Sequence, residues 1–235
     1  IVMNAGSQIS KDVADIVLLN NAMSTLPLAF EEGTRITQTL FGSAKMFLTK
    51  NFYNTFLFII VYFLAMPFPI TPIQISWAAF GTVNITGGLL AIGWIRPEKI
   101  RGFRRDVLDY ILTAGFIGAL GITLVYLVTF RYVEGDILVS QSIVTLFFIL
   151  WSLKIFLYVC GIDVAQPKTY LRYPLATGVT LLLTSGALGA ATLFPDIFEF
   201  TWPPLEVLAL LVAVFLLCAM IVSVGMRNRA LLHEF

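Results

Sequence analysis

The sequence predicts a mainly α-helical, polytopic membrane bundle of six transmembrane helices, preceded by the end of an α/β domain. Two observations lead to this prediction. First, 58% of the 235 residues are hydrophobic and only 12% are charged, whereas soluble domains average about 45–50% apolar and 25% charged residues. Second, six apolar stretches follow a more polar beginning, and each has close to the ~20 residues needed to cross a bilayer. Lipid is therefore the expected solvent for most of the chain.

The first 43 residues carry the pattern of a strand–helix–strand unit. Ile1–Met3 forms a short apolar run, Ser7 can cap a helix that extends through Ala14, and residues 15–19 form a second apolar run typical of a buried parallel strand. Such units build doubly wound α/β sheets. We therefore expect residues 1–43 to be the end of a cytoplasmic domain together with a stalk helix.

A long helix is predicted to connect this unit to the membrane. Ser24 is a candidate N-cap, and Pro27 lies in the first turn, where proline is tolerated. No strong helix breaker lies between Gly33 and Leu64. One helix is therefore expected to pass from water into lipid.

The six apolar stretches divide the rest of the chain. A first helix pair is expected within 44–95, a basic loop at 96–106, four further helices within 107–226, and a tail at 227–235. The individual spans are predicted at residues 44–66, 72–95, 107–130, 138–160, 174–194 and 205–226.

The distribution of lysine and arginine between the spans predicts their orientation. If residues 1–43 are cytoplasmic, nine basic residues fall in the inner segments and only Arg131 falls outside. The nine are Arg96, Lys99, Arg101, Arg104, Arg105, Lys168, Arg172, Arg227 and Arg229. Because inner loops are enriched in basic residues, both termini are expected in the cytoplasm. The inner basic residues can also contact anionic lipid headgroups, and no basic stripe with interleaved aromatic residues suggests a nucleic-acid partner.

Two motifs resemble the P-type ATPases. Residues 13–21 read Val-Ala-Asp-Ile-Val-Leu-Leu-Asn-Asn and are followed by Glu-Glu-Gly at 31–33, which is similar to the end of that family's phosphorylation domain and its entry into the fifth membrane helix. Residues 71–77 read Thr-Pro-Ile-Gln-Ile-Ser-Trp and resemble the entry to the sixth helix. Recognisable motifs carry the resemblance over residues 1–97. The remaining residues resemble the family only in the number of predicted spans.

The resemblance implies a ten-helix cation-transporting parent, similar to calcium and magnesium pumps, in the plasma membrane. Its α/β domain would be haloacid-dehalogenase-like, and ATP hydrolysis would proceed through an aspartyl-phosphate upstream of Ile1. ATP and Mg²⁺ would be bound by those upstream parts. This stretch alone is then expected to contain no catalytic residue and to have no ATPase activity.

By resemblance, four polar residues fall in the transport site. Asn51 and Asn54 lie at two coordinating positions of the fifth helix, and Thr82 and Asn84 lie in the sixth. The sequence departs from calcium pumps at Asn54, where those pumps have glutamate, and at Val83, where an aspartate is expected. A complete Ca²⁺ cage of six to eight oxygens is therefore hard to build from this stretch alone, and no metal ligand is assigned with certainty.

The spacing of Asn54 and Asn84 also favours a shared site. Each lies 15 residues from Pro69, at the turn that joins the first two spans, so both reach about 20 Å from the outer surface. Glycine pairs near Asn84 favour close packing or local unwinding of the second span. Interhelical hydrogen bonding is the alternative role for these polar residues.

Three other residue types lie outside the predicted transport site. Lys154 lies inside the fourth span, about 9 Å from its inner end, and is expected to reach the interface by extending its side chain. Cys160 and Cys218 lie in apolar runs and predict neither a disulfide nor a zinc site. His233 is expected in a surface tail.

Two other functions stay open at this stage. The absence of carboxylates from the first two spans also suits a P-type ATPase that moves a lipid or a polyamine. A non-catalytic membrane regulatory protein is the alternative from another class, and an upstream sequence without a phosphorylatable aspartate would favour it.

Overall fold

The computed structural model describes residues 1–98, 103–166 and 168–232. His233 and part of the basic loop, including Lys99 and Arg101, lie outside the described residues.

The chain begins with the predicted strand–helix–strand unit. Strand β1 (Val2–Met3) pairs in parallel with β2 (Val17–Leu18), with Val2 opposite Val17. Helix α1 (Gln8–Asp12) connects the two strands, and the Ser7 hydroxyl caps it by accepting a hydrogen bond from the Ser10 backbone N–H at 3.2 Å. The sequence therefore identified this unit, although the strands and the helix are shorter than predicted.

The predicted long helix is also present. Helix α2 (Thr25–Phe63) contains 39 residues and is therefore about 58 Å long. Ser24 precedes it but makes no side-chain capping hydrogen bond. Since a bilayer core is about 30 Å thick, α2 is long enough to cross the membrane and to extend well beyond it.

The segment after α2 is helical but irregular. Helix α3 (Pro72–Ala79) has Thr71 as its N-cap, with a capping box between Thr71 and Gln74. A π-helical segment (Phe80–Asn84) follows it directly and leads into helix α4 (Ile85–Ala91). The predicted second span is thus divided by a change of helix type near its middle.

Five further helices complete the described chain: α5 (Asp109–Tyr132), α6 (Ile137–Val159), α7 (Lys168–Arg172), α8 (Pro174–Leu193) and α9 (Leu205–Leu232). A second π-helical segment (Phe103–Leu108) directly precedes α5. Helix α6 lies at the centre of the bundle, with Phe147, Phe148, Trp151 and Phe156 fully buried. Helix α5 packs against α2, α6 and α9, whereas α8 buries only Ala176, Ala187 and Ala191.

Among the described residues, five helices are long and apolar enough to cross a membrane, rather than the six predicted. They are α2, α5, α6, α8 and α9. The segment that differs is α3–α4, because the π-helical residues interrupt it. The chain is therefore a mainly helical membrane bundle.

Side-chain hydrogen bonds fasten the turns at one end of this bundle. Tyr126 donates to the Pro67 carbonyl at 2.7 Å, and the Gln141 amide donates to the Phe68 carbonyl at 2.8 Å. The buried Gln74 amide donates to the Glu199 carbonyl at 2.7 Å. Two of these hydrogen bonds hold the turn that joins α2 to α3 against α5 and α6, and the third holds the start of α3 against the segment between α8 and α9.

Candidate cation site

The π-helical segment changes the backbone hydrogen bonding in the middle of α3–α4. The Ile85 N–H donates to the Phe80 carbonyl, five residues earlier, instead of the carbonyl four residues earlier. Threonine hydroxyls donate hydrogen bonds to neighbouring backbone carbonyls: Thr82 donates to the Ala78 carbonyl at 2.6 Å, and Thr86 donates to the Thr82 carbonyl. π-helical turns inside α-helices are frequent at functional sites, and irregular helices line substrate sites in many transporters.

The four predicted site residues divide into a buried pair and an exposed pair. Asn54 is 8% exposed and Thr82 is 1% exposed, while Asn51 and Asn84 lie on the bundle surface. Within the described residues, no hydrogen bond joins any of the four to another. Asn51 and Asn54 lie on α2, whereas Thr82 and Asn84 lie in the π-helical segment, and no described hydrogen bond links their side chains.

Asn54 has a polar side chain that the described protein leaves available. Its neighbour Tyr53 is fixed, with the hydroxyl 3.0 Å from the Ser152 Oγ of α6. No side-chain hydrogen bond to Asn54 is found among the residues that the structure describes. An amide offers two donor hydrogens and an acceptor oxygen, and the Asn54 amide atoms are not among the buried, unpartnered polar atoms of the described residues. They therefore keep accessible surface that a ligand or water can contact.

The exposed pair identifies a polar face on an otherwise apolar bundle. Asn51 and Thr55 lie four residues apart on the same face of α2, and Asn84 ends the π-helical segment. Polar side chains in membrane helices usually face the protein interior or a water-filled cavity rather than lipid. This face therefore suits contact with further protein or with a hydrated ion path.

The donor set within the described residues consists of amide, hydroxyl and backbone oxygens. No group of three or more His, Cys, Asp or Glu side chains there is placed to hold a metal ion. Amide and carbonyl oxygens are ligands for Ca²⁺ and related hard cations, but they carry no negative charge to balance one. A cation bound here would need carboxylates from another part of the protein.

The position of the Lys154 side chain differs from the prediction. We expected its side chain to extend to the membrane interface, but it is 3% exposed and lies inside the bundle. Its ammonium nitrogen is 4.9 Å from the Trp151 ring centre and 5.4 Å from that of Tyr110, and it donates a long 3.4 Å hydrogen bond to the Tyr110 hydroxyl. The rotation of α6 directs this side chain towards α5, and the sequence alone does not reveal that rotation.

Lys45 was not among the predicted site residues, but it belongs to the same group of side chains. It lies on α2, is 6% exposed, and places its ammonium nitrogen 5.1 Å from the ring centres of both Tyr110 and Tyr158. The two tyrosine rings are stacked with their centres 4.2 Å apart. We call Lys45, Tyr110, Trp151, Lys154 and Tyr158 the lysine–aromatic cluster. A lysine next to an apolar run was the only signal for it in the sequence.

The fold and the site define a class: a polytopic helical membrane protein with an interrupted helix and a polar face at mid-bundle. Searches of known proteins narrow this class, although no family model and no solved structure matches the chain. The chain is 27% identical over 228 residues to "Calcium-transporting ATPase CtpE" of Mycobacterium bovis, which covers 82% of this chain and 29% of that relative.

Two further relatives agree with this result. The protein of the same name from Mycolicibacterium smegmatis is 32% identical over 141 residues, covering 56% of this chain and 18% of the relative. "Potassium-transporting ATPase alpha chain 2" of Cavia porcellus is 31% identical over 134 residues, covering 52% and 13%. The resemblance to P-type cation-transporting ATPases is thus confirmed by homologues. The chain spans 29% or less of the length of these relatives.

Proposed function

We propose that this chain is the membrane transport part of a P-type cation-translocating ATPase. The observation that supports this most strongly is the similarity over 82% of the chain to proteins named calcium-transporting ATPases. The interrupted helix α3–α4 and the available amide of Asn54 support a site within the bundle. ATP, Mg²⁺ and the aspartyl-phosphate belong in this proposal to other parts of the full-length protein.

Ca²⁺ is the cargo we propose to test first. In this proposal Asn54 and Thr82, together with exposed Asn51 and Asn84, supply neutral oxygens, and a helix outside this chain supplies carboxylate ligands for Ca²⁺. The exposed polar face of α2 is the surface on which such a helix would lie.

The proposed arrangement in the membrane follows from the same reasoning. Segments α3, π and α4 follow one another without a break over residues 72–91 and together have the length of one span. Six spans place both ends of the chain on the same side, and the basic loops favour the cytoplasm. We propose the plasma membrane as the location.

The first test concerns Asn54 in the full-length protein. Replacing Asn54 by Ala removes one oxygen ligand, so the Ca²⁺ concentration that half-saturates ATP-dependent phosphorylation should rise about tenfold, equivalent to ~1.4 kcal/mol. Asn84→Ala should act in the same direction. Thr192→Ala is the matched control, because Thr192 is exposed on α8 and donates only to its own helix.

Expression and membrane insertion should be unchanged in all three variants. Wild-type half-saturation in both asparagine variants would contradict the site and leave interhelical packing as the role of these residues. Cargo of another kind is the second candidate, and the observation that favours it is that the described residues contain no group of three or more His, Cys, Asp or Glu side chains placed to hold a metal ion. Phosphorylation that depends on a polyamine or a lipid and not on Ca²⁺ would support that candidate.

A further inference from the structure

The lysine–aromatic cluster contains two buried lysines, neither of which forms an ion pair with a described carboxylate. Neither Lys45 nor Lys154 lies within 4.0 Å of an acidic oxygen in the part of the chain that the structure describes. Their neighbours are instead the faces of Tyr110, Tyr158 and Trp151. The faces of aromatic rings attract cations. Transferring an ammonium group out of water nevertheless costs more free energy than such contacts regain, unless an acidic partner is also present.

Stability therefore does not explain the two charges. Replacing buried ionic groups by apolar groups of similar size is often neutral or stabilising. A methionine at either position would fill the same space and carry no desolvation cost. Packing alone therefore does not require a lysine at either position.

Carboxylates act on both lysines from beyond the 4.0 Å limit of an ion pair. Glu98 and Asp106 act electrostatically on Lys45, and Asp163 acts on Lys154. The Glu98 backbone is hydrogen-bonded to the Val159 carbonyl at the end of α6, at 2.8 Å. Asp163 follows the same helix end and accepts hydrogen bonds from Ser223 and from the Ala165 N–H. Each lysine thus lies against aromatic rings, while acidic side chains act on it from a greater distance.

The cluster is connected to the proposed cation site through α2. The Thr49 hydroxyl donates to the Lys45 carbonyl at 2.6 Å, and Tyr53 contacts Ser152, two residues from Lys154. Asn54 lies nine residues after Lys45 on the same helix, which is about 14 Å along its axis. A shift of α2 that moves Lys45 must therefore also move Asn54.

We propose that Lys45 and Lys154 form a releasable clamp that sets the position of α2 relative to α5 and α6. In one position of α2 the lysines lie on the stacked tyrosines, as observed. In the other, Lys45 leaves the rings and pairs with Glu98 or Asp106. Both lysines are positioning residues that act on the cation through Asn54, so this inference rests on the proposed function.

The test uses the full-length protein with three substitutions. Lys45→Met keeps the length and apolar stem of the side chain and removes its charge, Lys45→Arg keeps the charge, and Lys168→Met removes an exposed lysine elsewhere as a control. Three quantities are measured: the melting temperature, the half-saturating Ca²⁺ concentration for phosphorylation, and the distance between spin labels on exposed Thr34 and Gln166.

For Lys45→Met, we expect a melting temperature equal to or above that of the wild type. The half-saturating Ca²⁺ concentration should change at least about threefold, and the label distances should shift towards one population, because the clamp no longer balances the two positions. Lys45→Arg should stay within about twofold of the wild type. Lys168→Met should match it throughout.

Two results would overturn the clamp. A lowered melting temperature with Lys45→Met and unchanged label distances would show that the cluster only stabilises the fold. Wild-type values for all three quantities would show that the charge has no role. If the wild-type protein does not respond to Ca²⁺ but Lys45→Met still shifts the label distances, the clamp stands and the proposed cargo is wrong.

Discussion

At the scale of single residues, alanine substitutions at two glycines can test how closely the helices pack. A Cβ atom on Gly118 of α5 would lie 2.3 Å from the Trp151 Nε1 atom, whereas a Cβ atom on Gly186 of α8 would have no neighbour within 4 Å. Trp151 is fully buried at the centre of the bundle and has no room to move away. The same substitution should therefore have opposite effects at the two positions.

We expect Gly118→Ala to lower the free energy of unfolding in detergent by about 1–3 kcal/mol, since added volume in a packed core forces displacement. Gly186→Ala should leave it unchanged or raise it by up to about 1 kcal/mol, because alanine favours the helix more than glycine does. Equal effects at both positions would contradict the observed packing of α5 on α6.

At the residue scale, the motif places Asn54 and Thr82 within membrane spans, and both are buried. Their role in a cation site stays a prediction. The exposure of Asn84 and the burial of Lys154 depend on helix rotation, which polar residues in an apolar helix specify weakly. The lysine–aromatic cluster combines residues from α2, α5 and α6, so it could not be identified before the helices were placed in contact.

At the scale of elements, the π-helical segment is the feature on which the proposed cation site depends most. The sequence indicated an irregularity here through its glycines and polar residues, but it did not predict the helix type. The number of continuous spans was predicted as six and is five among the described residues, for this same reason. Long uniform helices such as α2 and α6 were easier to predict, because they contain no internal breaker.

Deleting Gly81 should convert the π-helical segment to a regular α-helix. Gly81 lies within the segment, its Cβ position is free of neighbours, and a π-helical turn holds one more residue per hydrogen-bonded ring than an α-helical turn. Ca²⁺-dependent phosphorylation of the full-length protein should fall by more than about tenfold, because α3 and α4 would lose the local geometry of the site.

Gly81→Ala serves as the control, since it keeps the residue count and adds only a methyl group to open space. Membrane insertion should be normal in both variants. Full activity after the deletion would show that the π-helical geometry is not needed for transport.

At the scale of the whole molecule, the orientation in the membrane can be measured directly. Single cysteines at exposed Phe68 and Ile197, in the turns after α2 and α8, should react with an impermeant thiol reagent added outside cells. A cysteine at exposed Ala165, in the turn after α6, should react only after the membrane is opened. The native Cys160 and Cys218 are buried and should contribute little background.

This pattern follows from six spans with basic loops in the cytoplasm. Labelling at Ala165 in intact cells, or protection of Phe68 and Ile197, would contradict the proposed topology. Labelling of Phe68 and Ala165 from the same side would show that α3–α4 does not cross the membrane.

ATP-driven uptake of radiolabelled Ca²⁺ into sealed vesicles that contain the full-length protein tests the account most directly. We predict uptake that requires ATP and Mg²⁺, saturates with Ca²⁺, and needs about tenfold more Ca²⁺ in the Asn54→Ala variant because one oxygen ligand is lost. Parallel vesicles receive a labelled polyamine or a fluorescent lipid in place of Ca²⁺. ATP-dependent movement of either of these without any movement of Ca²⁺ or another inorganic cation would contradict the assignment of this chain to a cation pump.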